Sequence, residues 1–153
     1  AVTAALPYKC GTGLADARAG MDPGNDLSPS ERGDRVRNAS SHQGPWPILS
    51  IWQGDADSIV RMRNATELVE QWTNLHAVDQ QPDAADLVDG HPRKVYTNDD
   101  GRAVVELFLI QQMKHGMPIH PGDDASCCGT TGPYLIDAGI CSTRHIARFW
   151  GLR

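Results

Sequence analysis

Positive charge is in short supply: 14 lysines and arginines face 19 aspartates and glutamates, for a formal charge of −5. Nucleic acid and anionic membrane surfaces both need a basic face, so neither is expected as a partner. Long hydrophobic runs are also missing. The longest are of strand length, which excludes a membrane-spanning helix of the sequence's own making. There is no internal repeat, no low-complexity tract, and no CxxC or Cys/His spacing of the kind that holds zinc, so no metal and no cofactor is expected. What remains is a 153-residue chain, 40% hydrophobic and 22% charged. That is enough for one globular core and too little for two.

The chain starts at Ala1, and AVTAALPY lacks the basic start and the length of a secretory signal. The expectation is a processed or internal beginning. Four cysteines are present, Cys10, Cys127, Cys128 and Cys141. A bridge between the neighbours Cys127 and Cys128 would be strained. Two pairings remain open, each joining Cys10 and Cys141 to one member of the doublet. Such a framework points to an exported protein, secreted or periplasmic.

Two apolar runs organise the rest. Pro47 to Val60 (PILSIWQGDADSIV) reads as a buried strand over Ile48–Trp52 that breaks at Gly54 into a loop carrying Asp55 and Asp57. Val104 to Ile110 (VVELFLI) is a second buried strand, and after QQMK it delivers His115 and Gly116. Open α/β sheets gather ligands outside the carboxyl ends of their strands. An acid and an imidazole leaving two such ends make two thirds of a Ser/His/Asp triad. Asp57 is favoured over Asp55, which sits next to the glycine and is suited to holding the turn. His115 is favoured over its competitors because His76 ends a helix, His145 rides on one, His91 falls in a polar loop, and His42 and His120 read as exposed loop residues.

Around these runs, Ala1–Leu6 reads as a strand or its last residues. Leu14, Ala15 and Met21 are expected to face inward on a short helix, and MDPGND is a loop. Ser28, Pro29 and Glu31 start a helix that runs to about Ser40 through a capping box. Asn64 and Glu67 repeat the capping pattern before a helix burying Leu68, Trp72 and Leu75. DQQPDAADLVDGHP reads as a surface loop. RKVYT and AVVELFLI form a hairpin around NDDG. Gly116–Gly139 is a long pinned loop, and Ser142 or Thr143 caps a closing helix that buries Ile146, Phe149 and Trp150. Trp46 or Trp52, if exposed, would suit contact with a polymer.

LPYKC, SIWQGDADSIV, ELVEQW, KHGMP and CGTTGPYLIDAGICSTRHIARFWGL together resemble the C-terminal half of the polyhydroxybutyrate depolymerase family of esterases, which are α/β-hydrolases. The resemblance implies a mostly parallel sheet flanked by helices, with residues 1–153 as the C-terminal portion of one catalytic domain. It puts the triad acid on Asp57 and the base on His115. Gln53 replaces the histidine often found before that glycine, and Lys114 replaces a small residue; both are expected to alter the rim of the site. The nucleophile elbow GxSxG occurs nowhere in the chain. The resemblance therefore implies an N-terminal half of the same precursor as partner, carrying the nucleophile serine. It also implies a polyester or other ester as substrate, with feruloyl or acetyl xylan esterase activity, or a noncatalytic fragment or binding module, as alternatives.

Overall fold

The computed structural model describes residues 1–11, 13–21 and 27–152. The loop expected over Met21–Asp26 lies outside the described residues from position 22 onward. Five strands form one mixed sheet in the order β1-β2-β5-β4-β3. These are β1 (Val2–Thr3), β2 (Leu49–Gly54), β3 (Ala84–Val88), β4 (His91–Thr97) and β5 (Ala103–Ile110). β1, β2 and β5 are parallel, whereas β4 and β3 run antiparallel beyond β5. A small parallel pair, β6 (Met117–Ile119) and β7 (Leu135–Asp137), follows the sheet.

β2 and β5 are covered on both faces, which is why their sequences are continuous apolar runs and not alternating ones. Successive side chains still divide between the faces. Leu49, Ile51, Val105 and Leu107 pack with Leu68, Val69 and Leu75 of α3 (Met62–His76). Trp52, Phe108 and Ile110 point the other way and pack with Ile140 and with Ile146 of α4 (Ser142–Phe149). Trp52 and Phe108 are register partners, fully buried and stacked at 3.9 Å. Trp52 therefore touches no polymer, and the exposure entertained for it is corrected by this register.

The helix α2 (Pro29–Arg37) starts as its sequence dictates. Ser28 Oγ accepts from the Glu31 amide, and Glu31 reaches back to the Ser28 amide at 2.8 Å. Elsewhere the elements shift. α1 (Leu14–Met21) forms but buries none of its residues, and Leu14 is 75% exposed, so the inward face expected for it is not used within this chain. α3 begins three residues early, at an Arg61 N-cap. Asn64 is buried inside the helix and donates to the carbonyls of Met21 and Arg61 instead of capping. Neither Ser142 nor Thr143 caps α4: Cys141 holds that position, and Ser142 Oγ donates to the Pro118 carbonyl at 2.7 Å. Ile146 is buried as expected, but Trp150 stands 41% exposed beyond the helix end. The supposed acidic surface loop contains β3. Asp89 and Gly90 both take positive φ there and close a tight hairpin onto β4.

One buried carboxyl sits inside the α4 face of the sheet. Ser50 Oγ donates to Glu106 at 2.7 Å, Trp52 Nε1 donates to Ser50, and Arg93 stands 4.0 Å from the acid. Burial pushes the Glu106 carboxyl up from its ordinary 4.5, against the Ser50 bond and the Arg93 charge. A carboxyl raised in the folded state binds more protons folded than unfolded. Its stability contribution is then full at low pH and declines as pH rises from the unfolded value through the folded one. Glu106→Gln keeps an acceptor for Ser50 and removes the titration. Thermal melts of the intact polypeptide should show the variant gaining on the parent as pH rises above the ordinary carboxyl value of 4.5; a parallel pair of curves would refute this account.

Candidate active site

β2 and β5 lie side by side, so their carboxyl ends open together, with Gly54 paired to Ile110. The two loops that leave them are stitched by two backbone bonds and one to the Asp55 carboxylate. The Asp55 amide donates to Ile110 O at 3.1 Å, the Ala56 amide to Met113 O at 3.1 Å, and the Gln112 amide to Asp55 Oδ1 at 2.6 Å. Asp55 is thus the turn residue, as its position beside the glycine suggests. A Cβ on Gly54 would stand 2.2 Å from Met113 O, so only glycine lets the loops approach this closely.

Asp57 ends the stitched turn with its carboxylate fully buried. Oδ1 accepts the amides of Ile59 (2.8 Å) and Val60 (2.9 Å), and Oδ2 lies 2.9 Å from His115 Nδ1. A buried carboxylate needs such partners to offset its lost hydration. Gln53 completes the turn. It is 1% exposed and donates to the carbonyls of Val60 at 2.9 Å and Gly54 at 3.1 Å, with Asp57 Oδ2 at 3.4 Å. Its placement on the rim is therefore corrected: the side chain is inside the loop and fixes the segment whose amides hold Asp57. A polar residue closing an apolar run was the available signal for this. Lys114, the residue before His115, is exposed.

His115 is partly exposed, with its ring edge-on to Tyr134 at 5.8 Å. Gly116 allows that packing, since a Cβ there would stand 2.7 Å from Tyr134 O. With the carboxylate at Nδ1, that nitrogen carries the proton in the neutral ring, and Nε2 is left with its lone pair. Nε2 makes no hydrogen bond among the described residues. The arrangement can accept a proton at Nε2 and stabilise the resulting imidazolium.

His91, His145 and His76 are otherwise engaged. His91 lies in β4 and not in a loop; its Nε2 faces the Ala138 carbonyl at 2.9 Å, and its Nδ1 accepts from the Gln111 amide. His145 Nε2 pairs with exposed Asp89 at 3.1 Å, and His76 Nε2 with the Pro47 carbonyl. Burial holds the His76 pKa below its ordinary value.

Of the two cysteine pairings left open, one bond is formed: Cys128–Cys141, tying the segment after β6 to the start of α4. Its companion is not, because Cys10 and Cys127 are free. Cys10 sits against Gly20 beside α2 and α3, on one side of the sheet, while Cys127 neighbours the bridge to α4 on the other. A cavity of about 490 Å³ is lined by residues that include Cys10, Asp16, Arg32, Arg35 and Glu67, and neither Asp57 nor His115 is among them.

Over 147 residues, 95% of its length, the chain is 44% identical to poly(3-hydroxyalkanoate) depolymerase C of Paucimonas lemoignei, covering 36% of that protein. It is 39% identical over 93 residues to an acetylxylan esterase of Coprinopsis cinerea, covering 60% of this chain and 24% of the relative. Among solved structures, an acetyl xylan esterase from Aspergillus awamori superposes with a TM-score of 0.53 at 16% identity, over 64% of this chain and 35% of that one; this likeness concerns the fold alone. No family model matches. The resemblance to polyhydroxybutyrate depolymerase-type esterases is borne out, and the chain spans about a third of the length of the depolymerase it matches.

Proposed function

We propose that this chain, as a relative of the poly(3-hydroxyalkanoate) depolymerase and the acetylxylan esterase, supplies the acid and base of a serine esterase. The carrying observation is the 2.9 Å contact between His115 Nδ1 and the buried, doubly amide-bonded carboxylate of Asp57. A serine attacks the ester carbonyl while His115 Nε2 takes its proton. The tetrahedral intermediate collapses as the imidazolium returns that proton to the leaving alcohol. Water then repeats the sequence on the acyl-enzyme. Asp57 fixes the imidazole tautomer and stabilises the cation.

The nucleophile belongs to an upstream segment of the same polypeptide. Two observations support this: the chain matches only 36% of the depolymerase, and β1 has β2 as its one neighbour among the described residues, leaving an edge for further strands. Residues 1–153 are then the C-terminal portion of a single α/β-hydrolase domain, completed by sheet pairing at β1. The Cys128–Cys141 bridge supports a secreted protein, and no helix among the described residues is long and apolar enough to cross a membrane.

A poly(3-hydroxyalkanoate) is the favoured substrate, since the match to the depolymerase is longer and closer than that to the acetylxylan esterase. An organophosphate serine reagent should label the intact polypeptide once, upstream of Ala1, and abolish hydrolysis of a short ester. Release of hydroxyacid from a polyhydroxybutyrate film should exceed release of acetate or ferulate from substituted xylan. Labelling without loss of activity would reject the serine mechanism, and the reverse order of release would move the assignment to a polysaccharide esterase.

A further inference from the structure

The segment from Ile119 to Cys128 folds back on itself. The Cys128 amide donates to the His120 carbonyl at 2.7 Å, closing an antiparallel bridge, and the Cys128–Cys141 disulfide anchors its far side. Within the bend, Asp124 Oδ1 accepts from both the amide (2.6 Å) and the hydroxyl (2.5 Å) of Ser126, and the Asp124 carbonyl accepts the Cys127 amide at 3.1 Å. These bonds bring one nitrogen of His120, one carboxylate oxygen of Asp124 and Cys127 Sγ within 4.8 Å of one another. Spacing in the sequence gives no hint of this, because the three converge only when the bend closes.

Three further features distinguish the cluster from a chance gathering of polar groups. His120 Nδ1 is buried and has no hydrogen-bond partner, although buried ring nitrogens ordinarily find one. Cys127 is the member of the doublet left out of the disulfide. Gly122 leaves room for the sulfur: a Cβ there would stand 2.5 Å from Cys127 Sγ.

We propose that His120, Asp124 and Cys127 form a binding site for a zinc-like divalent cation. An imidazole nitrogen, a carboxylate oxygen and a thiolate suit zinc and its cobalt surrogate, whereas calcium and magnesium prefer oxygen alone. One carboxylate and one thiolate neutralise a dication. Zinc would draw the ligand atoms in to roughly 3.5 Å from one another, a contraction within reach of side-chain torsions. Water fills the remaining position. Such an ion would fasten the bend without any part in ester chemistry, so this site stands or falls apart from the proposed esterase.

The test uses the intact polypeptide, stripped with a chelator and titrated with Co²⁺ alone. The expected result is one Co²⁺ per chain with a thiolate-to-metal absorption band, displaced by Zn²⁺. Cys127→Ser should abolish the band, and Cys10→Ser, which removes the other free thiol, should leave it. His120→Ala should weaken Zn²⁺ binding by at least the roughly 10–100-fold that loss of an outer-shell partner costs. On the unaltered protein, Zn²⁺ should shield Cys127 but not Cys10 from iodoacetamide, a readout independent of any variant's folding. Absence of the band, its survival in Cys127→Ser, or nonreducing peptide maps placing Cys127 in a disulfide would overturn the proposal.

Discussion

Asp57→Asn in the intact polypeptide is expected to lower kcat on a short soluble ester by about 10⁴-fold. The size of the loss follows from how the carboxylate is used. Oδ1 accepts two amides, from Ile59 and Val60, while Oδ2 faces His115 Nδ1. A carboxamide has one oxygen. If that oxygen keeps the two buried amides, the NH₂ group faces the imidazole and Nδ1 must become an acceptor. The ring proton then sits on Nε2, where it blocks the lone pair that should receive the serine proton. Turning the amide over would save the tautomer but leave two buried N–H groups facing a donor, at a cost of about 1–3 kcal/mol each. The first arrangement is therefore favoured, and it is the inactive one. His115→Ala removes the base outright and should cost a similar factor. The double variant should be little worse than either single one, because the residues act as a unit. Circular dichroism should show both variants folded. A kcat within tenfold of the parent for either would remove Asp57 and His115 from the chemistry.

These two residues were legible in the sequence because their signal is local. Each follows a continuous apolar run, and such a run marks a strand covered on both faces, here β2 and β5 inside the mixed sheet. Ser28, Pro29 and Glu31 were legible for the same reason, since a capping box is complete within four residues. What escaped depended on contacts distant along the chain. β3 is short and exposed, so AADLV carries no burial pattern, and only the Asp89–Gly90 turn marked it. Asn64 resembles a cap until α1 is placed so that Met21 O can accept its amide. Ser142 resembles one until Pro118 O is brought beside it. The cysteines could be reduced to two pairings, but which thiols meet is decided by the face of the sheet each loop reaches. Gln53 could be seen as unusual for a buried strand; that it braces the Val60 turn requires the loop to curl back over it.

The closeness of the two loops makes a second large effect predictable at Gly54. Its neighbours in the gap are backbone atoms: an added Cβ would meet Met113 O at 2.2 Å, Met113 C at 2.8 Å and Lys114 O at 3.0 Å. No rotamer change relieves such a clash. β2 is held by β1 and β5 and buried throughout, so the yielding part must be the 110–115 loop that carries His115. Relieving the contact needs a shift of about 1 Å, which breaks or lengthens the bonds from Ala56 to Met113 and from Gln112 to Asp55. Overpacking of this kind costs about 1–3 kcal/mol. A misplacement of about 1 Å at a catalytic group costs about 10²-fold in rate. Gly54→Ala should thus lower the melting temperature and kcat together, with the base moved relative to its acid and neither residue replaced. Gly13→Ala, where an added Cβ meets nothing within 4 Å, should change neither. If Gly54→Ala lost stability but kept its turnover, the acid and base loops would not need this register, and the 2.9 Å contact would not be what sets the rate.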